Sequence, residues 1–394
     1  MDDLLADAAR AVLREQCSAE RVRAIEGGES EDRGAQGEGA QGRESRGRES
    51  QGREAARSLW DQLEALGFAD ALVPEDQGGA GLALGAVFEV WAAAGEHALP
   101  VPLAETMLAR ALLAEAGVPR PAGSIALAEG QLRDDGSLAA ATVTLGAVAD
   151  HVLVQHPRGW ALLPADAAEA GPAAFVLDRS MSWSASAVAE AATPVVADDA
   201  ASVGAAAAAS TAANTAAPAG AETVASAGAR SEPGLLRRLL ACVMAVQSSG
   251  AMMEVFRRTL QYANDRTQFG RPIGKFQAIQ HQLAVMSEEV FAARMAARLG
   301  GQGDGWRPDP LRTAIAKART SEAARAVAEF AHSIHGAIGF TAEYDLQLFT
   351  RRLHAWRSTA GSESYWHAVA GRALVDGHHG STLELLQVAT EIED

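Results

Sequence analysis

Residues 266–280 read Arg-Thr-Gln-Phe-Gly-Arg-Pro-Ile-Gly-Lys-Phe-Gln-Ala-Ile-Gln and lie between two long stretches with apolar residues at helical spacing. The first helix is predicted to end over 262–266 and the second to open at Phe276-Gln277, which makes the segment a Gly/Pro turn joining two helices. The turn carries Arg266, Arg271 and Lys275, the aromatic Phe269, and the backbone N–H groups of a helix start. Guanidinium groups suit an anion, helix N-terminal amides suit phosphate oxygen, and an aromatic face suits a planar ring. These parts fit a pyrophosphate-bearing ligand. They also fit an ordinary interhelix turn with solvated charges, and their chemistry alone does not separate the two.

The helical period continues through the C-terminal part. Helices are predicted over 235–265, 276–299, 310–336 and 345–356, with a shorter one over 364–375, punctuated by Gly300-Gly301, Gly336 and Gly361. Packed together they make a four-helix bundle over 231–394. Residues 1–121 also read as helical, with one helix over 2–22, another resuming at Leu59-Trp60, a tight turn at Pro74 to Gly81, and a helix over 84–95. Within this part, 27–54 is of low complexity: Gly-Arg-Glu-Ser occurs at 42–45 and 47–50, and Gly-Arg-Glu at 52–54. With alanine as its only apolar residue, this insertion is expected to be mobile; a charged helix is the alternative, which its glycines disfavour. Between 122 and 196 the period turns strand-like, with short runs at 124–128, 141–145, 151–155, 160–163 and 173–177 that predict a small middle β-domain. Residues 197–230 are mostly Ala, Ser, Thr and Gly and read as a linker.

Composition excludes several classes. A chain of 394 residues, 48% hydrophobic, supports two or three cores rather than one. No apolar run approaches the roughly 18 residues of a membrane span, and Met1-Asp2-Asp3 is acidic where a signal peptide is basic, so a soluble cytoplasmic protein is expected. A net charge of −16 argues against nucleic-acid binding, and an anionic ligand must be drawn in by local arginines. Cys17 and Cys242 fall in different predicted helices and read as reduced thiols. The histidines show no metal-ligand spacing, His378-His379 reading as a loop.

Residue order adds what composition cannot. Arg-x-Gln-Phe-Gly-x-Pro-Ile-x-x-Phe-Gln-x-Ile-Gln resembles the signature of acyl-CoA dehydrogenases. The stretch from Ile334 to Tyr344, with His335-Gly336-Ala337-Ile338-Gly339-Phe340, resembles that family's Gln-x-His-Gly-Gly-x-Gly-Phe element. Leu-Gly-Phe-x(4)-Val-Pro-Glu-x-x-Gly-Gly-Ala-Gly-Leu, ending at Leu82, and the later stretch from Pro100 to Thr106 resemble its N-terminal helical domain. In the family the first turn holds the ADP half of FAD, often FAD bound mainly by the neighbouring subunit, and the second element packs backbone against FAD across the interface. The resemblance therefore implies Arg266, Gln268, Phe269, Ile273, Phe276, Ile279, Ser333, Gly336 and Ala337 as cofactor-binding positions. Ser333 replaces a glutamine and Ala337 a glycine, which implies an altered ADP site. The family's Trp/Thr pair and Gly-Ser loop of the middle β-barrel are not found; Trp160 and Trp183 stand in the wrong context, and the domain looks shortened.

Dehydrogenation of an acyl-CoA thioester needs a carboxylate to remove the α-proton while the flavin takes the β-hydride, with hydrogen bonds holding the acyl carbonyl. The family usually carries that glutamate in a Tyr-Glu-Gly-Thr context after an Arg-Arg helix. Counting from Arg351-Arg352 places it at Gly361, and Glu363, two residues on, is the candidate base, a cap or surface glutamate being the other reading. A second family location falls at Leu240, with Ala241 where an arginine is expected near CoA. Arg237 and Arg238 lie just upstream, and Arg238 is the substrate-binding candidate, a solvated face again being the alternative.

The expected fold is α+β: an N-terminal helical domain, a small middle β-barrel-like domain and a C-terminal four-helix bundle. The resemblance implies FAD, an acyl-CoA substrate, and electron-transfer flavoprotein as acceptor if the chain is active. It also implies either a homo-oligomer (dimer or tetramer) or a heterotetramer in which a catalytic subunit supplies the missing base. A helical scaffold without flavin is the alternative from another class.

Overall fold

The computed structural model describes residues 2–27, 41–191 and 234–377, with Ser381, Leu383, Glu384, Gln387 and Thr390 beyond them. The alanine-rich stretch at 197–230 and the His378-His379 pair lie outside the described residues. The fold is α+β, with helices at both ends of the chain and two small sheets between them.

The N-terminal part opens with α1 (Asp2–Gln16) and α2 (Ala19–Ile25) rather than the single helix expected over 2–22. The break is chemical: Ser18 caps α2, its side chain accepting from the Arg21 N–H at 3.2 Å. Helix α3 (Gln41–Ala65) corrects the expectation of a mobile insertion across its second half. The repeats at 42–54 are helical because the same helix continues into Ala56, Leu59, Trp60 and Leu63, all buried, and that packing offsets the poor local propensity. Helices α4 (Phe88–Glu96) and α5 (Leu103–Glu115) complete this part, α5 being buried almost throughout.

Two sheets follow. Strands β1 (Ile125–Glu129), β4 (His151–His156) and β5 (Gly159–Pro164) form one, in the order β1-β4-β5, with β1 and β4 parallel. Strands β2 (Gln131–Leu132), β3 (Leu138–Val143), β6 (Glu169–Pro172) and β7 (Arg179–Trp183) form the other, in the order β2-β3-β7-β6 and antiparallel throughout. They share a core that includes Ala126, Leu138, Val152, Leu163 and Met181. The run at 173–177 is not a strand but the turn between β6 and β7, and the strand expected at 141–145 lies earlier, at Leu138–Val143. Trp160 and Trp183 are core residues, each 1% exposed, with the Trp183 indole donating to the Pro164 carbonyl at 2.9 Å. A short helix, α6 (Ala185–Glu190), ends the region.

Five helices build the C-terminal part: α7 (Leu235–Asp265), α8 (Gln277–Gly300), α9 (Pro310–His335), α10 (Leu346–Ser358) and α11 (Glu363–Gly377). Among the described residues α7 is the one helix long and apolar enough to cross a membrane by length and composition, and 89% of its most apolar window is buried inside the fold. It is apolar all round because α4, α8, α9 and α10 pack on its different faces. The α4–α7 crossing depends on two glycines: a Cβ on Gly95 would lie 1.9 Å from the Gln247 carbonyl oxygen, and one on Gly250 1.9 Å from that of Ala92. Cys242 is buried within α7, whereas Cys17 lies in the link between α1 and α2. Burial pushes both thiols up to about 12, which keeps them protonated and unreactive.

Candidate functional site

The 266–280 turn is a β-hairpin. Strand β8 (Thr267–Gln268) pairs with β9 (Arg271–Pro272) across Phe269 and Gly270, both left-handed (φ 50° and 78°), as a two-residue primed turn requires. This backbone pushes Phe269 outward, 92% exposed and edge-on to Phe276 at 6.2 Å. The Arg271 guanidinium sits 4.2 Å above the Phe276 ring. Arg266 and Gln268 are exposed, Phe276 and Ile279 half-buried, and Ile273 is buried against Ala263 and Ile334. That contact binds the hairpin to the end of α9. Beside it, the Tyr262 and His335 rings stack at 4.4 Å, and the Tyr262 hydroxyl donates to the His335 carbonyl at 3.3 Å. Gly336 then turns the chain at φ 65°, ψ −143°, leaving Gly336 and Ala337 exposed. Ser333, also exposed, lies 3.5 Å from the Gln282 side-chain amide. The nine residues singled out as cofactor-binding positions therefore come together on one side of the bundle, with an exposed ring, exposed arginines and an open backbone. This surface fits one edge of an aromatic, phosphate-bearing group and does not enclose it.

A separate cleft of about 2070 Å³ opens where the sheets meet α7 and α10, and none of those nine residues lines it. Its walls come from the end of α2 (Glu26, Gly27), the ends of β1 and β3, the turn before β7, the first turns of α7 (Arg237, Leu240) and the end of α10 running into Ala360. Glu26 is held by two arginines, Arg351 and Arg352, each at 2.7 Å. Arg352 is 1% exposed, donates to the Leu348 carbonyl at 3.0 Å, and lies over the Phe175 ring at 5.4 Å. It thus ties α10 to α2 and to the turn before β7. Thr142 and Thr144 also line the cleft. Sequence reasoning missed them, since Thr142 stands at the irregular end of β3 and Thr144 in the turn beyond it.

Asp178 lines the same cleft, 6% exposed, and its Oδ1 accepts the Leu145 N–H at 3.0 Å. Burial pushes its carboxyl up to about 6, against the pull of the Leu145 N–H and of Arg352 and Arg179. Such a value suits proton transfer near neutral pH.

The turn after α10 determines where a base would stand. Ala360 has φ 60° and lines the cleft. Gly361 (φ 108°) faces away: a Cβ there would meet the Tyr365 ring at 2.8 Å and the Trp366 indole nitrogen at 3.0 Å. Setting Tyr-Glu-Gly-Thr on Thr359 to Ser362, glycine on Gly361, puts the glutamate position at Ala360. That register differs by one residue from the count that gives Gly361. Glu363 does not line the cleft: its carboxylate is taken by the Arg357 guanidinium, with Nε to Oε2 at 3.2 Å, which holds its pKa below the ordinary value. The turn itself is braced by Lys317 on α9, 1% exposed, whose Nζ donates to the carbonyls of Trp356 (2.8 Å) and Arg357 (2.9 Å) and to the Ser321 hydroxyl (2.9 Å). Leu240 reaches the cleft, Ala241 is fully buried, and Arg238 is half-buried off the cleft lining.

The C-terminal part, residues 238–374, matches the family model of the acyl-CoA dehydrogenase C-terminal domain. Among characterised relatives, the acyl-CoA dehydrogenase IpdE2 of Mycolicibacterium smegmatis is 39% identical over 114 residues, 29% of this chain and 35% of that protein. A glutaryl-CoA dehydrogenase of Desulfococcus multivorans is 37% identical over 105 residues, 26% of this chain and 27% of that protein. The matched stretch thus spans about a third of these relatives or less. Solved structures match across nearly the whole fold. The Tcur3481–Tcur3483 steroid ACAD superposes with a TM-score of 0.67 at 22% identity over 95% of this chain and 98% of that one. The ChsE4–ChsE5 complex of Mycobacterium tuberculosis gives 0.65 at 19% over 95% and 97%. Residues 238–374 thus match an acyl-CoA dehydrogenase C-terminal domain, and the chain as a whole shares the fold of these solved structures.

Proposed function

We propose that this chain is a subunit of a flavin-dependent acyl-CoA dehydrogenase, contributing cofactor-facing and cleft surfaces without supplying the carboxylate that removes the α-proton. The observation that carries this reading is Ala360: on a braced turn, an alanine lines the cleft at the position that the Tyr-Glu-Gly-Thr register gives the glutamate, while Glu363 is paired with Arg357 off the cleft lining. FAD, when bound, supplies the hydride acceptor for α,β-dehydrogenation of an acyl-CoA thioester. Arg266, Gln268 and Phe269 would meet its ADP end, with the Gly336-Ala337 backbone beside them. That surface lies off the cleft, as expected of a cofactor that bridges two subunits. A catalytic family member as the partner chain would complete the assembly, with electron-transfer flavoprotein as the acceptor. The ChsE4–ChsE5 complex, whose fold this chain shares, joins two differently named components and supports a mixed assembly here.

The test is flavin retention and reduction by the purified chain. It is expected to bind FAD weakly alone, to retain it when mixed with a catalytic family member, and to show no bleaching of the flavin band by acyl-CoA without that partner. A chain that stays colourless with added FAD, alone and mixed, would favour a scaffold without flavin. Asp178 supports a second reading, a stand-alone dehydrogenase with a displaced base, since it is buried, lines the cleft and is pushed up to about 6. Under that reading the purified chain bleaches with acyl-CoA, and Asp178→Asn abolishes the bleaching.

A further inference from the structure

Arg237 stands in the first turn of α7 and lines the cleft, its side chain 39% exposed. It donates to the Tyr365 hydroxyl on α11 at 3.2 Å and to Oε2 of Glu129, the last residue of β1, at 3.2 Å. The guanidinium also lies 5.2 Å from the centre of the Tyr365 ring. Three elements therefore meet over one rim of the cleft, with Arg237 braced from two sides. Glu129 is a solvated counter-ion, its side chain 70% exposed. An exposed pair of this kind contributes little, whereas a guanidinium fork binds a phosphate or carboxylate through two parallel charge-assisted bonds. The cleft's other paired arginine, Arg351, is committed to the buried Glu26.

We propose that Arg237 receives an oxyanion, phosphate or carboxylate, carried by the ligand of the cleft, and that Glu129 is the resting counter-ion it displaces. The inference rests on the reading of the cleft as a thioester site, and its signature is a difference of sign. Arg237→Gln removes the receiving group and weakens binding. Glu129→Gln removes the competitor and tightens it. A contact that merely tied β1 to the bundle would respond in the same direction to both changes.

Calorimetric titration of the full chain with FAD present provides the test, using two probes: coenzyme A, which has phosphates and no acyl group, and a dicarboxylic monothioester of pantetheine, which has a carboxylate and no phosphate. Arg237→Gln is expected to weaken at least one probe by about tenfold and to flatten its salt dependence, and Glu129→Gln to tighten the same probe several-fold. The responding probe identifies the oxyanion. The proposal is overturned if both variants shift affinity in the same direction, or if neither shifts it while the wild-type chain binds. Failure of both probes to bind the wild-type chain would remove the underlying reading of the cleft as well.

Discussion

Glu105 has no exposed surface, and burial pushes its carboxyl up to about 7 from an ordinary 4.5, with Asp178 adding to the rise. Below about pH 4.5 the group is protonated in both the folded and the unfolded chain and costs nothing. Between 4.5 and 7 the unfolded chain ionises while the fold keeps its proton, so stability falls as pH rises, levelling off above 7. Glu105→Gln removes that penalty and is expected to stabilise the protein by up to about 3 kcal/mol at pH 8 with little effect at pH 4. Thermal melts of both chains at the two pH values check this, and equal melting temperatures at pH 8 would contradict it. Single residues were also the hardest part to read from sequence. Glu105 sits in a helix whose neighbours are all buried, which no local pattern announces. Ala360 and Gly361 differ in facing because both hold left-handed backbone, and residue counting cannot see a turn that reverses the chain.

At the scale of elements, α10 and the turn after it depend on a cap supplied from another helix. Lys317 brings a cation to the carbonyl end of α10, where the helix dipole favours positive charge. Burial lowers its pKa to about 7, with Glu363 opposing the fall and Arg357 adding to it, and three oxygen acceptors surround its Nζ. Lys317→Met leaves those acceptors unmatched and is expected to cost about 1–3 kcal/mol, read in denaturant melts. It should also loosen the wall formed by Ser358 to Ala360 and reduce the stabilisation gained from added ligand; a variant with unchanged ligand response would show that this brace does not shape the cleft. The α4–α7 crossing offers a paired test. Gly250→Ala is expected to destabilise by about 1–3 kcal/mol or more through its clash with the Ala92 carbonyl. Gly371→Ala, on α11 with nothing within 4 Å of the new Cβ, is expected to stabilise by up to about 1 kcal/mol. Helix limits were legible where the period was long: α7 runs over Leu235–Asp265 as its spacing predicts. They failed where tertiary contact decides, as in α3, whose glycine-rich half is carried by the burial of Leu59 and Trp60.

For the whole molecule, the separation of two surfaces matters most. The exposed hairpin around Phe269 lies off the cleft, so one chain presents the surface proposed to face the cofactor in one place and the cleft proposed for the thioester in another. Phe269→Ser is expected to change the stability of the isolated chain by less than about 0.5 kcal/mol while reducing flavin retention in the assembly. An unchanged flavin content would contradict the role given to the hairpin. The hairpin and the end of α9 stood out in motif order, because the 266–280 and 334–344 segments keep their sequence in recognisable form. The cleft did not, because its walls come from at least six stretches far apart in the chain. The central claim is that this chain keeps the cleft but lacks the base. Its most direct measurement is anaerobic bleaching of bound flavin by acyl-CoA, wild type against Ala360→Glu. The account predicts no bleaching by the wild-type chain alone and a rate at least about 100-fold higher once the carboxylate is present. Full bleaching by the wild-type chain, with no gain from Ala360→Glu, would contradict it.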